Sequence, residues 1–289
     1  MLDSISEIFA EIERTGDPFW EVVLKTDMDE RQVEREASME RMRLTWQAMV
    51  KADDTYRADL RSVSGLVGGD GGRMHDYAAT GNALCGDFLG EVISVALRTG
   101  ESNACMRRIV AAPTAGSCGV LPAVLIPLWR TGRATEEEIL RAMYVAAGIG
   151  AVISTRASIS GAAGGCQAEI GSASAMAAGA LTAIRGGNHQ QIGHAVAMAL
   201  KNLMGLICDP LGGLVEVPCV KRNVVGAVNA VSCSDMVMAG IESRIPVDEV
   251  IDCMGDVGRR MPVEFRETAL GGLAVTPFGM QVKEMMKQQ

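Results

Sequence analysis

Three cysteines stand where the chain must turn. In the segment NLMGLICDPLGGLVEVPCVKRN, residues 202–223, Cys208 precedes Asp209-Pro210 and Cys219 follows Pro218, directly after a stretch of helical pattern. Proline removes a backbone donor and restricts the residue before it, so both thiols fall on turns at helix ends, where side chains can point into a cavity as metal ligands do. Cys166 follows Gly164-Gly165 and opens a run of small residues with helical texture. Free N–H groups and the helix dipole at such a position favour the thiolate. The spacings of 42 and 11 residues match none of the short Cys-x-x-Cys pairs of zinc fingers, zinc ribbons or bacterial ferredoxins. Three thiols gathered from three helix ends suit a larger metal object, while inert core thiols account for the same residues, since free Cys is among the most buried residue types.

Two polar segments could hold an anion. Thr114, Ala115, Gly116 and Ser117 follow Pro113, and their N–H groups and hydroxyls could grip a carboxylate or simply start and cap a helix. The segment SGLVGGDGGRM, residues 64–74, holds five glycines and contains Ser64, Gly65, Gly69 and Asp70. It lacks the G-x-G-x-x-G frame and the Gly-Lys-Ser/Thr ending of nucleotide loops, and reads either as a pocket rim or as a linker. His75 sits beside it and is the candidate base. His189 and His194 are five apart and do not share a helix face, and the tandem Glu-x-x-His of a di-iron site is absent. Arg222 and Asn223 could orient a substrate or stabilise an anionic group, against a reading in which Arg222 caps a helix or faces solvent. Cys85, Cys105, Cys118, Cys233 and Cys253 are expected to be buried or unreactive thiols.

The elements that must position these residues are helices. Of 289 residues 33 are Gly and 37 Ala, only 11 are aromatic, and the mean hydropathy is +0.17. Such a composition supports a globular core of closely approaching helices and excludes disorder. Ser4 or Asp3 can cap a first helix that ends near Gly16, and a highly charged helical stretch runs from about 29 to 60. Residues 1–60 thus read as an N-terminal helical arm and 61–289 as one large all-α domain. Helices are expected over about 77–99, 118–130, 135–151, 167–185, 189–206 and 222–242, with Thr135 and three glutamates starting the third, and a last helix opening after Pro246 before an irregular tail. The net charge of -8 leaves no basic stripe for nucleic acid. The uncharged run 109–129 has the length of a membrane span but contains three prolines and reads as buried interior. Cysteine density is too low for a disulfide scaffold and the acidic, amphipathic start is no signal peptide, so a reducing cytoplasmic compartment is expected.

Three runs carry a resemblance. GGCQAEIGSA (164–173), CDPLGGLVEVPCVKRN (208–223) and APTAGSCGVLPAVL (112–125) closely resemble the α subunits of iron-sulfur-dependent L-serine dehydratases, also called L-serine deaminases, and SGLVGGDGGRM lies in the expected place. The resemblance covers nearly the whole chain. It implies a 4Fe-4S cluster held by Cys166, Cys208 and Cys219, with one iron left open as a Lewis acid for the serine carboxylate and β-hydroxyl. The implied reaction converts L-serine to pyruvate and ammonia through an aminoacrylate that tautomerises and hydrolyses, without pyridoxal phosphate. It also favours substrate contact for Thr114 to Ser117 and for the glycine loop.

The sequence departs from the full family pattern in two places. Single-chain members carry a further domain with a Ser-Ser-His-Thr motif, which does not occur here, and some end in a Cys that folds back onto the open iron, whereas this chain ends MMKQQ. The first departure is normal for the two-subunit type and implies a separate β subunit and a hetero-oligomer. The base is then His75 or a histidine of the partner, which could instead only bind substrate. Two other readings compete: a related cluster lyase acting on cysteine or threonine, and a non-catalytic helical subunit whose cysteines are structural or hold zinc.

Overall fold

The structure is a computed structural model that describes residues 3–288. Among these residues it is all-α, with helices α1 (Ile5–Thr15), α2 (Phe19–Arg31), α3 (Arg35–Asp54), α4 (Asp70–Ala79), α5 (Gly86–Ala104), α6 (Val120–Arg130), α7 (Glu136–Arg156), α8 (Gly161–Gly164), α9 (Ser172–Ile184), α10 (His189–Leu203), α11 (Cys219–Met238), α12 (Val247–Arg260) and α13 (Pro277–Met286). No strand forms among them, and the one bridge pairs Cys208 with Arg266.

Helix starts follow the sequence signals closely. Ser4 accepts the Glu7 N–H at the start of α1, and Gly16 ends that helix with φ 78°. Thr135 and Glu138 form a reciprocal capping box on α7. Three expectations fail for identifiable reasons. The charged stretch is not one helix: α2 stops at Arg31 because Gln32 takes φ 52°, and α3 restarts at Arg35. The helix expected over 77–99 is also two, and α4 begins inside the glycine segment because the buried Glu101 carboxylate accepts the Asp70 N–H at 2.8 Å and the Gly71 N–H at 3.2 Å. The tail after Pro262 is not wholly irregular: Pro277 occupies the first turn of α13, and Thr276 accepts the Gly279 N–H.

The centre of the molecule is α9, flanked by α6, α7, α10 and α11. Its inner residues Ala173, Ala175, Ala177, Ala178 and Ala180 are fully buried, and small side chains are what allow four helices to crowd one axis. On α11, a Cβ at Gly226 would lie 2.9 Å from Ile170 Cγ2 and 3.0 Å from Val120 Cγ2, so only glycine permits this approach. Ile5 and Ile8 of α1, Leu24 of α2 and Trp46 of α3 belong to the same buried core, and Trp46 meets Trp129 edge-on with ring centroids 5.8 Å apart. α7 is long and apolar enough to cross a membrane, but 12 of its residues are buried within the protein. Of the uncharged run 109–129, every residue from Gly116 to Leu128 is buried within the protein, whereas Ala111 and Ala115 are exposed.

Close backbone contact also positions the cysteine-bearing segment. A Cβ at Gly258 of α12 would lie 2.9 Å from the Gly164 Cα of α8, two residues before Cys166. A Gly258→Ala substitution must therefore separate two backbones, at an expected cost of about 1–3 kcal/mol. A urea unfolding midpoint unchanged by this substitution would contradict the packing.

Candidate functional site

Three segments deliver the thiols, and a separate contact fixes each. Cys166 immediately precedes a π-helical turn, Gln167–Gly171, that leads into α9. Gln167 anchors this turn: its N–H donates to Leu206 O at 2.9 Å, its Oε1 accepts the Gly205 N–H at 2.8 Å, and its Nε2 donates to Met254 O at 3.2 Å. Cys208 lies in extended chain beyond α10; its N–H donates to Phe265 O at 2.8 Å, and its carbonyl accepts the Glu267 N–H at 2.9 Å. Cys219 is the first residue of α11, after a cis Val217-Pro218 bond.

All three thiols are buried, and they sense one another. A hydrogen bond from the Cys208 thiol lowers the pKa of Cys166 against the opposing effect of burial, and the Arg222 guanidinium lowers it further. As donor of that pair Cys208 is pushed up, and burial pushes Cys219 up to about 12. Arg222 is held in place, donating to Ile207 O and to Asp209 Oδ1, each at 2.8 Å. Asp209 is fixed in turn by the Leu273 N–H at 2.8 Å. Among the described residues no three His, Cys, Asp or Glu side chains are set to hold a single metal ion. All eight cysteines are free. Cys118 and Cys233 are buried, with pKa pushed up by burial to about 12 and about 11; Cys85 and Cys253, expected to be buried or unreactive, are exposed.

The segment Thr114 to Ser117 lies against this group. Asn223, fully buried one turn into α11, accepts the Gly119 N–H at 2.8 Å and donates to Gly116 O at 2.8 Å and Cys219 O at 3.0 Å. One side chain thus locks the loop to the helix that carries Cys219. Thr114 and Ser117 share a hydroxyl contact of 3.0 Å, and the N–H groups of Ala115, Gly116 and Ser117 make no hydrogen bond within the described chain. Glu169 faces the same loop: a Cβ at Gly116 would lie 3.0 Å from its Oε2, and a Cβ at Gly161 would lie 3.2 Å from both Glu169 Oε2 and Cys208 Sγ. Burial raises the pKa of Glu169, the nearby Glu267 raises it further, and Thr114 and the Gly161 backbone act the other way.

The glycine segment is different in kind. Ser62 and Ser64 hydroxyls donate to the buried Glu216, at 2.6 Å for Ser62. The amides of Gly65 and Leu66 bond to Ser62 O and Ser64 Oγ, and those of Asp70 and Gly71 are taken by Glu101. Its donors are largely consumed inside the chain. Asp70 pairs with Arg73 and, at 3.4 Å, with Lys221. His75 is exposed; its Nδ1 stands 3.1 Å from Glu91 Oε2 and 3.3 Å from Arg98 Nη1, in a network with Asp53 and Arg130 that contains none of the three thiols.

Glu169, Glu101, Glu216 and Gln167 belong to no motif that marks them as site residues in the sequence. Only Glu169 carried a local signal, as the one charged residue between Arg156 and Arg185. The others act on amides or hydroxyls distant in sequence.

Comparison with known proteins places these segments in a family. The description of the serine dehydratase alpha chain matches residues 14–274, which include every residue of the site. The chain belongs to the serine dehydratase alpha chain family. It is 44% identical over 264 residues, 91% of this chain and 88% of the other, to the probable L-serine dehydratase, alpha chain, of Bacillus subtilis. Over 218 residues, 75% of each chain, it is 44% identical to the L-serine dehydratase, alpha chain, of Peptoniphilus asaccharolyticus. A longer relative, the L-serine dehydratase of Streptomyces coelicolor, is 44% identical over 182 residues, which cover 62% of this chain and 40% of that protein.

Removing Asn223 should loosen the site at its hinge. Asn223→Ala leaves the Gly119 N–H and the Gly116 carbonyl without their partner, at an expected cost of about 2–4 kcal/mol in unfolding free energy. Amide hydrogen exchange across residues 115–119 should rise in parallel, and unchanged exchange there would contradict the clamp.

Proposed function

We propose that this chain is the iron-sulfur-bearing α subunit of an L-serine dehydratase, converting L-serine to pyruvate and ammonia with a β subunit. The observation that carries the reading is the group of three buried thiols, brought from three separate segments to one place beside a loop of free amides. The donor set suits a cluster. Its thiolates would sit on different irons, so they need not converge on a single point as the ligands of one zinc ion must, and cysteine thiolates are the usual ligands of iron-sulfur centres. Gly161 supports the fit, because a side chain there would crowd Cys208 Sγ.

When bound, a 4Fe-4S cluster supplies a Lewis acid that stabilises the departing hydroxide. The chain's own residues do the rest of the positioning. Cys166, Cys208 and Cys219 hold the group; Arg222, fixed by Asp209 and Ile207 O, offsets its negative charge. The amides of Ala115, Gly116 and Ser117, with the Thr114 hydroxyl, receive the substrate carboxylate. Ser64, Gly65, Gly69 and Asp70 serve that pocket as its frame rather than through free donors. No pyridoxal phosphate enters the proposed reaction, as the family resemblance implies.

The β subunit is inferred from the α-chain names of the relatives and from the longer Streptomyces protein, of which the match is only 40%. A histidine from that subunit is the better candidate for the base, since His75 stands in a charge network away from the thiols. Eight free thiols fit a reducing cytoplasm.

Anaerobic co-expression with a β subunit, followed by product assays on L-serine, L-threonine and L-cysteine, tests the function. Pyruvate and ammonia from L-serine at the highest kcat/KM are expected. Cys208→Ser should lower kcat by at least about 100-fold, the scale of losing a metal Lewis acid. Preference for L-threonine or L-cysteine would reassign the substrate, and full activity in Cys208→Ser would remove the thiols from the mechanism.

A further inference from the structure

The loop amides and the thiols account for the substrate's carboxylate and hydroxyl, but they leave its α-ammonium group without a partner. A buried-site amino acid is bound as a zwitterion, and its two charges sit on one carbon. The groups that receive them must therefore be neighbours, one anion-binding and one anionic.

Glu169 is the anionic neighbour. Its Oε2 comes within 3.0 Å of the point where a Gly116 side chain would begin, in the middle of the free-amide loop, and within 3.2 Å of the corresponding point at Gly161, which Cys208 Sγ also approaches to 3.2 Å. Two glycines thus let the carboxylate pack directly against the backbone on both flanks, at the free-amide loop on one side and beside the Cys208 thiol on the other. The groups that act on this carboxylate are its burial, the charge of Glu267, the Thr114 hydroxyl and the Gly161 backbone, none of them cationic; Glu267 itself is exposed, with its N–H on the Cys208 carbonyl. A largely enclosed carboxylate beside a like charge, with no cationic partner of its own, is costly unless something positive arrives. Arg222, the site's own cation, is committed to Asp209 and Ile207 O.

We propose that Glu169 receives the α-ammonium group of the substrate, so that the loop amides and this carboxylate together select an α-amino acid over a hydroxy acid. The inference rests on the serine dehydratase reading above and adds a specificity-determining residue to it. Glu169 touches a substrate group that takes no part in the loss of the β-hydroxyl, and exchanges no atoms with it.

The test uses the anaerobically purified holoenzyme and two ligands that differ only at the α position: L-serine, and 3-hydroxypropanoate, which keeps the carboxylate and β-hydroxyl but lacks the ammonium. KM for L-serine and the inhibition constant of 3-hydroxypropanoate are measured for wild type, Glu169→Gln and Glu169→Asp, together with iron and sulfide content. Glu169→Gln is expected to weaken L-serine by at least about 30-fold, the scale of breaking a buried charge pair, and 3-hydroxypropanoate by less than about 3-fold. Glu169→Asp should recover part of the lost L-serine affinity, and iron and sulfide should stay at wild-type levels in both. Equal weakening of the two ligands, no weakening of either, or loss of iron in Glu169→Gln overturns the assignment of Glu169. A wild-type enzyme that neither turns over nor binds L-serine overturns the serine dehydratase reading itself, and the ammonium pairing with it.

Discussion

Holding three thiols in a nearly dry interior, with Cys166 favoured as the thiolate, is the constraint around which the site is arranged. A buried thiolate is costly unless a fixed cation and hydrogen-bond donors compensate it. Here one cation does so. Arg222 extends from the first turn of α11, one turn beyond Cys219, and is tied to Asp209 and to the carbonyl before Cys208. The same guanidinium lowers the pKa of Cys166, so a single side chain couples all three cysteine segments electrostatically. Asp209 in turn reaches the C-terminal region through the Leu273 amide, which makes the tail before α13 part of the support.

The small residues serve this constraint by geometry. α9 continues directly from the turn that follows Cys166, so whatever fixes α9 fixes that thiol. Four helices can crowd it only because its buried positions are alanines and the facing helices bear glycine at the closest points, as at Gly226. The result is an interior in which the Thr114–Ser117 loop is clamped from behind by Asn223 and the turn after Cys166 by Gln167. Rigid scaffold and clamped loop is the arrangement expected of a preorganised site.

What was legible in the sequence was the chemistry that local rules govern. Ser4, Thr135 and Gly16 announced helix ends, and the Ala and Gly excess announced close helix packing. Cys166, Cys208 and Cys219 announced themselves through glycines and prolines, and the structure gathers them into one group. The break at Gln32 was hidden because glutamine carries no turn preference and reaches left-handed backbone here at the end of a helix. The start of α4 was hidden because its cap is Glu101, thirty-one positions from Asp70, and no local pattern links them. Glu169 was visible only as a lone charge in an uncharged stretch, and its surroundings come from Gly116 and Gly161, which are distant or neutral in the sequence. Distant carboxylates that satisfy backbone donors are a tertiary choice, invisible to periodicity.

The central claim is that the three thiols hold an iron-sulfur cluster. Iron and acid-labile sulfide determination on chain purified under nitrogen, read beside its visible absorbance, tests it most directly. The account predicts about four iron and four sulfide per chain with a broad visible absorbance, and their loss in a Cys166→Ser, Cys208→Ser, Cys219→Ser triple variant that keeps its helical circular dichroism. Stoichiometric zinc, or no metal, in the wild-type chain would contradict it.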